Sequence, residues 1–222
     1  MAIFELDEEL WFPDPYVGED DGLVAIGGDL SPERLLLAYS NGFFPWYSFR
    51  DSVAPFWYCP TDRFVIFPEE IHVSHSMRTL LNKKKYEFTF NKAFEIVINE
   101  CALADSRFLQ EGAWLGPDII DAYTEMYRRG LAKSVEVWEN PEDTSGEKKL
   151  VGGLYGIQVK NAFFGESMFS KVSSGSKLAL IHLAKIAKEN GWLFIDCQFE
   201  TPHLLSMGGR HISYREYMQL LH

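Results

Sequence analysis

The segment from Leu150 to Phe199 constrains the fold more than any other part of this 222-residue chain. It reads as two apolar strands joined by a turn at Lys160-Asn161, then a helix over 177–190 and a further apolar strand over 193–199. Strands joined by a tight turn pair antiparallel, whereas a strand reached through a helix returns parallel to its neighbour. The order therefore predicts a mixed sheet that splays where the parallel strand leaves, with room for a substrate in the gap.

Three polar side chains interrupt these apolar strands: Glu166, Asp196 and Gln198. A buried polar group left without a partner costs about 1–3 kcal/mol, so each needs a structural or chemical reason. Alternation along 193–199 predicts that Asp196 and Gln198 lie on one face, roughly 7 Å apart at their α-carbons. There an aspartate can orient a carboxamide, although the same spacing fits a structural pair that satisfies buried backbone groups.

The remaining segments predict an α+β protein. Further strand patterns lie at 64–67, 86–90 and 134–138. Helices are expected after Ser31-Pro32, after Ser74, after Asn91, after Gly116-Pro117 and from the capping box Ser213–Glu216. The first 60 residues are turn-rich, and their aromatic side chains are expected on loops. We therefore expect a small aromatic-rich N-terminal subdomain over 1–60 and a larger domain over 61–222.

The cysteines and the hydropathy indicate the cellular compartment in which the protein is expected. Cys59, Cys101 and Cys197 show no metal-ligand spacing and fit reduced thiols in a cytoplasmic protein. No apolar run approaches the length of a membrane span, so no membrane association is expected. His72 and His75 have no further ligands nearby in sequence, so we predict no metal site.

The net charge of −11 is distributed unevenly. Residues 1–60 carry 11 acidic and 2 basic side chains, whereas residues 61–110 carry 7 of each. The second segment contains four basic residues that are candidates for binding phosphates: Arg78, Lys83, Lys84 and Lys85. The same residues also fit an ordinary solvated helix end. A local basic patch can bind phosphates, while the acidic remainder favours a cationic partner.

The strand order of 134–199 resembles the GCN5-related N-acetyltransferase superfamily, in which the acyl donor binds at the splay. The loop 171–176 matches the glycine-rich phosphate loop of those enzymes only in degraded form, so coenzyme A is not expected.

A family resemblance rests on seven segments that occur in one order: 22–47 (GLVAIGGDLSPERLLLAYSNGFFPWY), 56–77 (FWYCPTDRFVIFPEEIHVSHSM), 111–115 (EGAWL), 133–138 (KSVEVW), 150–156 (LVGGLYG), 163–170 (FFGESMFS) and 193–209 (LFIDCQFETPHLLSMGG). Together they resemble the leucyl/phenylalanyl-tRNA–protein transferase family.

The resemblance implies a cytoplasmic, monomeric enzyme without a cofactor, in which an N-terminal subdomain packs on a GCN5-related N-acetyltransferase-like domain with a mixed, splayed sheet. Its donor is aminoacyl-tRNA charged with leucine, phenylalanine or, less well, methionine. Its acceptor is the N-terminal amine of a protein that begins with arginine or lysine, and the product is marked for N-end rule degradation.

The resemblance also implies roles for individual residues. Asp196 polarises Gln198, which accepts a hydrogen bond from the attacking amine, and Glu166 holds the positively charged acceptor N-terminus. The donor side-chain pocket is expected to contain Leu154, Phe163, Met168, Leu180, Leu183 and Ile195. The terminal adenosine of the tRNA is expected between aromatic side chains: Tyr39, Trp46 and Trp114. Simple alternation places Phe163 and Met168 on opposite faces, so both line one pocket only if Gly165 carries a bulge or twist.

Two other readings stay open from the residues. An acetyl-CoA-dependent N-acetyltransferase fits the strand order, but the degraded phosphate loop and the aromatic N-terminal segment count against it. A non-catalytic RNA-binding module fits the aromatic residues and the lysine run. The buried acids at 166 and 196 count against that reading, because a pure binder has little use for them.

Overall fold

The computed structural model describes residues 2–46, 54–83, 85–108, 115–141 and 146–222. The strands are β1 (Phe4–Leu6), β2 (Leu23–Gly27), β3 (Phe44–Pro45), β4 (Phe56–Tyr58), β5 (Asp62–Ile66), β6 (Tyr86–Phe90), β7 (Ala132–Glu139), β8 (Lys149–Val159), β9 (Ala162–Ser170), β10 (Phe194–Asp196) and β11 (Arg210–Ser213). The α-helices are α1 (Pro32–Ser40), α2 (His75–Asn82), α3 (Phe94–Phe108), α4 (Pro117–Arg128), α5 (Gly175–Asn190), α6 (Pro202–Ser206) and α7 (Tyr214–Leu221). None of the helices in these ranges is long and apolar enough to cross a membrane.

The larger sheet has the strand order β11-β5-β10-β9-β8-β7-β6. Strands β6 to β9 pair antiparallel in sequence, and β10, reached through α5, pairs parallel to β9, as the segment order predicts. Only Phe194–Asp196 pair with β9, opposite Ala162–Phe164. Beyond Phe164, β9 continues to Ser170 without this neighbour, so the two parallel strands splay apart at this point.

A β-bulge interrupts β9 at the splay. Tyr155 of β8 pairs with Ser167, whereas the next residue, Gly156, pairs with Gly165, so Glu166 is the extra residue on β9. Phe163 and Met168 could line one pocket only if a bulge or twist lay between them. This bulge supplies it, because the extra residue returns both side chains to the same face of the sheet. Gly156 is required opposite the bulge, since a Cβ there would collide with the carbonyl oxygen of Phe164.

The larger sheet lies between two layers of helices. Helices α2, α5 and α6 pack on one face, in a cluster that contains Leu154, Phe163 and Ile195. Helices α1, α3, α4 and α7 pack on the other face. Helix α3 begins at Phe94, and Asn91 does not cap it as expected: the Glu136 carboxylate of β7 accepts the backbone N–H groups of the two residues before the helix.

The prediction of loops for the N-terminal aromatic residues is wrong for those of β3 and β4, whereas Trp11, Phe12, Phe43 and Trp46 lie outside the strands, as expected. Strands β1 to β4 form a second sheet in the order β1-β2-β4-β3, with Phe56, Trp57 and Tyr58 in β4. The Ser31 side chain caps α1, as predicted, by accepting the N–H of Arg34. The buried residues of this sheet pack in one cluster with those of the larger sheet, so a separate subdomain over 1–60 stays a prediction.

Candidate functional site

A cavity of about 320 Å³ lies at the splay, between the bulged part of β9, the residues that follow β10, and helices α5 and α6. Five of the six residues expected in the donor pocket line it: Leu154, Met168, Leu180, Leu183 and Ile195. Its polar rim includes Glu166 and Gln198. The geometry thus joins an apolar chamber to the polar residues singled out from the sequence, while their roles stay predictions.

Phe163 is the sixth expected residue, and it does not line this cavity. It is fully buried and its ring stacks on Trp192 at a centroid distance of 5.7 Å. Phe163 therefore supports the apolar wall from behind, which corrects its expected contact with the donor side chain.

Asp196 is fully buried and paired with a cation that the sequence analysis did not single out. The Arg63 Nε atom lies 3.0 Å from each carboxylate oxygen, and Arg63 Nη2 lies 2.7 Å from Oδ2. The Tyr217 hydroxyl donates a further hydrogen bond to Oδ2 at 2.8 Å. Burial alone would lower the pKa of the Arg63 guanidinium, but the charge of Asp196 outweighs it and raises the pKa overall.

Gln198 lies outside the last parallel strand, so the predicted strand over 193–199 is wrong beyond Asp196. The backbone of Gln198 is left-handed, with φ +65°, and Asp196 Oδ1 accepts its N–H at 2.8 Å. The carboxylate therefore holds the main chain of Gln198, and not its carboxamide as expected. The carboxamide Nε2 instead donates to Glu166 Oε1 at 3.2 Å.

Glu166 projects from the bulge into a set of neutral donors. Its two oxygens lie within hydrogen-bond distance of the hydroxyl groups of Tyr39 (2.8 Å) and Tyr123 (2.9 Å), and the two hydroxyls also lie within hydrogen-bond distance of each other. Burial raises the pKa of the Glu166 carboxyl to about 7, against the two tyrosine hydrogen bonds that lower it. Burial also raises the pKa of both tyrosines, so they stay neutral donors. Sequence reasoning missed Tyr123, because on α4 it is simply part of an apolar helix face.

The three residues expected beside the terminal adenosine fall in different places. Trp46 is 45% exposed, with Tyr58 and Phe199 at centroid distances of 5.5 and 5.3 Å. Tyr39 is fully buried beneath Glu166, so its expected contact with the adenosine is corrected to a hydrogen bond with that carboxylate. Trp114 lies outside the described residues.

Two further cavities lie near the first. One of about 450 Å³ is lined by Trp46 and shares Glu166 and Gln198 with it. The other, of about 520 Å³, shares Phe199 with the second cavity. Four acidic residues, which the sequence analysis did not assign to the site, line it: Glu19, Asp20, Asp21 and Asp62. An apolar, an aromatic and an acidic chamber thus follow one another through Gln198 and Phe199.

Of the candidate phosphate-binding residues, Arg78 is exposed within α2, and Lys85 is exposed after this helix ends. Lys85 pairs with Glu139 at 2.9 Å, and Arg78 Nε donates to the backbone oxygen of Val73 at 3.1 Å. Lys83 is exposed, and Lys84 lies outside the described residues. The structure thus leaves their contact with tRNA as a prediction.

Comparison with known proteins identifies close relatives across the whole chain. Family models described as "Leucyl/phenylalanyl-tRNA protein transferase" and its "N-terminal domain" match residues 65–222 and 28–61. The leucyl/phenylalanyl-tRNA–protein transferase of Syntrophobacter fumaroxidans is 45% identical over 221 residues, which are 100% of this chain and 90% of that protein. The Flavobacterium johnsoniae protein of the same name is 44% identical over 219 residues, 99% of each chain. The crystal structure of FemX aligns with a TM-score of 0.48 at 12% identity, covering 86% of this chain and 71% of that chain.

Proposed function

The chain belongs to the leucyl/phenylalanyl-tRNA–protein transferase family, and we propose that its three chambers bring an aminoacyl-tRNA ester and the N-terminal amine of a protein together at Gln198. The protein is an aminoacyltransferase that moves leucine or phenylalanine from tRNA to protein. The observation that supports this site is the apolar cavity whose polar rim is formed by Glu166 and Gln198.

The apolar chamber receives the side chain of the donor amino acid. Leu180 and Leu183 of α5 face Leu154 and Met168 of the sheet across a volume of about 320 Å³, which suits leucine, phenylalanine and, less well, methionine. One methylene of fit is worth only about 1–3 kcal/mol, so such a wall selects by shape among apolar side chains without rejecting all but one.

The aromatic chamber receives the terminal adenosine. Trp46 presents nearly half of its surface beside the chamber that contains Gln198. Stacking of a base on an aromatic ring contributes about 1–3 kcal/mol and suits the single-stranded 3′ end of a tRNA. The ester then lies between the two chambers, within reach of the carboxamide.

The reaction exchanges an ester for an amide. The amine nitrogen forms a bond to the ester carbonyl carbon, the bond from that carbon to the ribose 3′ oxygen breaks, the amine loses a proton and the 3′ oxygen gains one. A carboxamide does not titrate, so Gln198 orients the amine as a hydrogen-bond acceptor and does not remove its proton. Glu166, with a pKa of about 7, attracts the amine while it is an ammonium. Positioning of the two reactants provides much of the rate.

The acidic chamber selects the acceptor. An arginine or lysine at the first position of a protein carries its charge several bonds from the reacting amine, and the acidic chamber shares Phe199 with the chamber that contains Gln198. Opposite charges at such a site favour arginine and lysine over neutral first residues.

The remaining expectations follow from the family and the topology. Three antiparallel strands, the crossover helix α5 and the parallel strand β10 support a GCN5-related N-acetyltransferase-like domain. We propose that the enzyme acts as a cytoplasmic monomer and that its products, with leucine or phenylalanine at the N-terminus, are substrates of N-end rule degradation.

One assay tests the reaction class. The protein is incubated with Phe-tRNA, acetyl-CoA and a peptide that begins with arginine, and the mass of the peptide is measured by mass spectrometry. A gain of phenylalanine is expected, and a gain of acetyl, or of nothing, would instead favour the acetyltransferase or the RNA-binding module. The variants Gln198→Ala and Asp196→Ala are each expected to lose most of the transfer rate. If both variants are folded and still transfer phenylalanine at the wild-type rate, the proposed roles are wrong.

A matched pair of variants tests the acceptor chamber. Replacing Asp20 and Asp21 by asparagine removes two charges from its lining, and the KM for the arginine peptide should rise while the KM for Phe-tRNA is retained. Replacing the exposed Glu8 and Glu9 by glutamine removes the same charge outside the chamber and should have little effect. Equal changes from both pairs would contradict local recognition.

A further inference from the structure

Arg63 is a cation buried completely within the sheet. It lies on β5, with an exposed fraction of 0%, and its guanidinium is held over the rings of Phe44 (4.9 Å) and Tyr217 (5.0 Å). Charged side chains are almost never fully buried unless they are paired. Its partner is the equally buried Asp196, engaged through Nε and Nη2 together.

This geometry depends on the shape of arginine as well as on its charge. The planar guanidinium addresses both carboxylate oxygens at once, while its flat faces lie against aromatic rings. A lysine ammonium is a point charge on a flexible chain and reproduces neither feature. The carboxylate of Asp196 is therefore fixed in orientation as well as matched in charge.

The fixed carboxylate in turn supports a backbone conformation that glutamine seldom adopts. Gln198 has φ +65°, in the left-handed region where a residue with a Cβ is strained. The hydrogen bond from its N–H to Asp196 Oδ1, at 2.8 Å, closes this turn across two residues. The turn decides where the carboxamide points, and in this structure it points to Glu166.

We propose that Arg63 is a positioning residue for aminoacyl transfer. It acts through the Asp196 carboxylate on the backbone turn of Gln198, and so sets the place of the carboxamide that orients the amine. This inference rests on the proposed function of Gln198. Asp196 then serves the reaction through a main-chain hydrogen bond, without a contact to the carboxamide.

A double-mutant cycle separates positioning from mere stabilisation. Arg63→Lys keeps the charge but loses the planar fork, and a shift of about 1 Å at a reacting group lowers the rate by about 10²-fold, so kcat is expected to fall by about that factor with little change in the KM for Phe-tRNA. Because Arg63 acts only through Gln198, the same change in a Gln198→Ala background should cause no further loss. Arg34→Lys serves as the control: Arg34 is also fully buried, but its Nη2 donates to the backbone of Asp7 and it lines none of the three chambers.

The outcomes are distinct. An equal loss from Arg63→Lys in both backgrounds, or an unchanged kcat in the wild-type background, would overturn the inference while leaving the role of Gln198 intact. A wild-type rate for Gln198→Ala would overturn the proposed role of Gln198 itself, and the inference with it. A loss from Arg34→Lys as large as that from Arg63→Lys would assign both to general destabilisation and overturn the inference as well.

A second variant keeps the test available if Arg63→Lys does not fold. Tyr217→Phe removes one hydrogen bond to Asp196 Oδ2 and retains the ring beneath the guanidinium. We expect a fall in kcat that is smaller than that of Arg63→Lys, and we expect no such fall in the Gln198→Ala background. Amide hydrogen exchange at Gln198 reports the turn directly: it should become faster in Tyr217→Phe, and an unchanged exchange rate together with an unchanged kcat would contradict the inference.

Discussion

Two buried carboxylates meet at Gln198, and they are held by different chemistry. Asp196 faces a permanent cation, because the guanidinium of Arg63 addresses both of its oxygens. Among the described residues, the hydrogen-bond donors to Glu166 are neutral: the hydroxyls of Tyr39 and Tyr123 and the carboxamide of Gln198. The first arrangement fixes a charge and a direction, whereas the second leaves a carboxyl whose pKa is about 7 at the rim of the cavity. One side of the site thus provides geometry and the other an adjustable charge.

A third buried carboxylate shows what a purely structural acid looks like in the same sheet. Glu136 accepts the N–H groups of Lys92 and Ala93 and the hydroxyls of Thr89 and Ser134, and it lines none of the three chambers described. It satisfies the orphan N–H groups before α3, which a residue at the start of the helix would ordinarily do. Burial of a carboxylate does not by itself indicate function; the partners and the adjoining cavity distinguish these three.

The largest expected difference is in stability. Asp196→Asn leaves the Arg63 cation buried without its counter-charge, and breaking a buried ion pair in this way costs about 3–5 kcal/mol of unfolding free energy. Glu166→Gln removes no partner of a buried cation and should cost far less. Urea unfolding of both variants at neutral pH measures the difference, and equal losses would show that the two carboxylates are held alike.

The next effect is the pH dependence of stability that Glu166 introduces. Its pKa is about 7 in the folded protein against 4.5 for an ordinary glutamate, so the folded state holds this proton more tightly than the unfolded chain does. The stabilisation of the folded state by this proton is therefore complete below pH 4.5 and is lost as the pH rises through 7. At about 1.4 kcal/mol per pKa unit, the loss amounts to about 3 kcal/mol.

Glu166→Gln isolates this contribution because it cannot titrate. Between about pH 5 and about pH 8, the wild-type protein should lose about 2.5 kcal/mol of unfolding free energy relative to the variant, because a part of the full loss already occurs below pH 5. Urea unfolding of both proteins at the two pH values measures it. A constant difference between them would mean that Glu166 titrates in the folded state as it does in the unfolded chain.

A smaller effect separates Glu136 from Glu166. In Glu136→Gln an amide N–H₂ replaces one acceptor oxygen amid backbone and hydroxyl donors, and leaving a buried donor unsatisfied costs about 1–3 kcal/mol. The transfer of phenylalanine to an arginine peptide should stay at the wild-type rate under conditions where the variant is folded. Glu166→Gln should show the reverse, a fall in transfer with little loss of stability near neutral pH. A fall in transfer in both variants would remove the distinction.

The sequence pattern predicted the parts of this comparison that depend on order and polarity. Polar residues in apolar strands pointed to Glu166, Asp196 and Gln198, and a helix between strands predicted the parallel pair and its splay. Both inferences use local signals, since strand polarity and connection type are written in contiguous residues.

The parts that failed depend on tertiary contacts. Alternation placed Asp196 and Gln198 on one strand face, but the strand ends at Asp196 and the carboxylate turns the next residues out of the sheet. The single Arg63 at the edge of an apolar run reads equally well as a solvated flank. The short strands β2 to β4 are two to five residues long, too short for a periodic signal.

The smallest expected effect compares one hydroxyl on each side of Gln198. Tyr123→Phe and Tyr217→Phe each remove a single hydrogen bond to a carboxylate, worth about 1 kcal/mol in unfolding free energy. Tyr123 stabilises the ionised form of Glu166, so its loss should raise the pKa of Glu166 further above 7 and move the rise of kcat/KM with pH to higher values. Tyr217→Phe should leave that midpoint in place, because Arg63 still pairs with Asp196. The peptide amine titrates in the same range, near pKa 7.7–8.0 for an ordinary α-amine, but it is common to both variants and cancels between them. If both midpoints move together, the adjustable charge does not reside on Glu166, and the division of the site into a fixed and a titrating side fails.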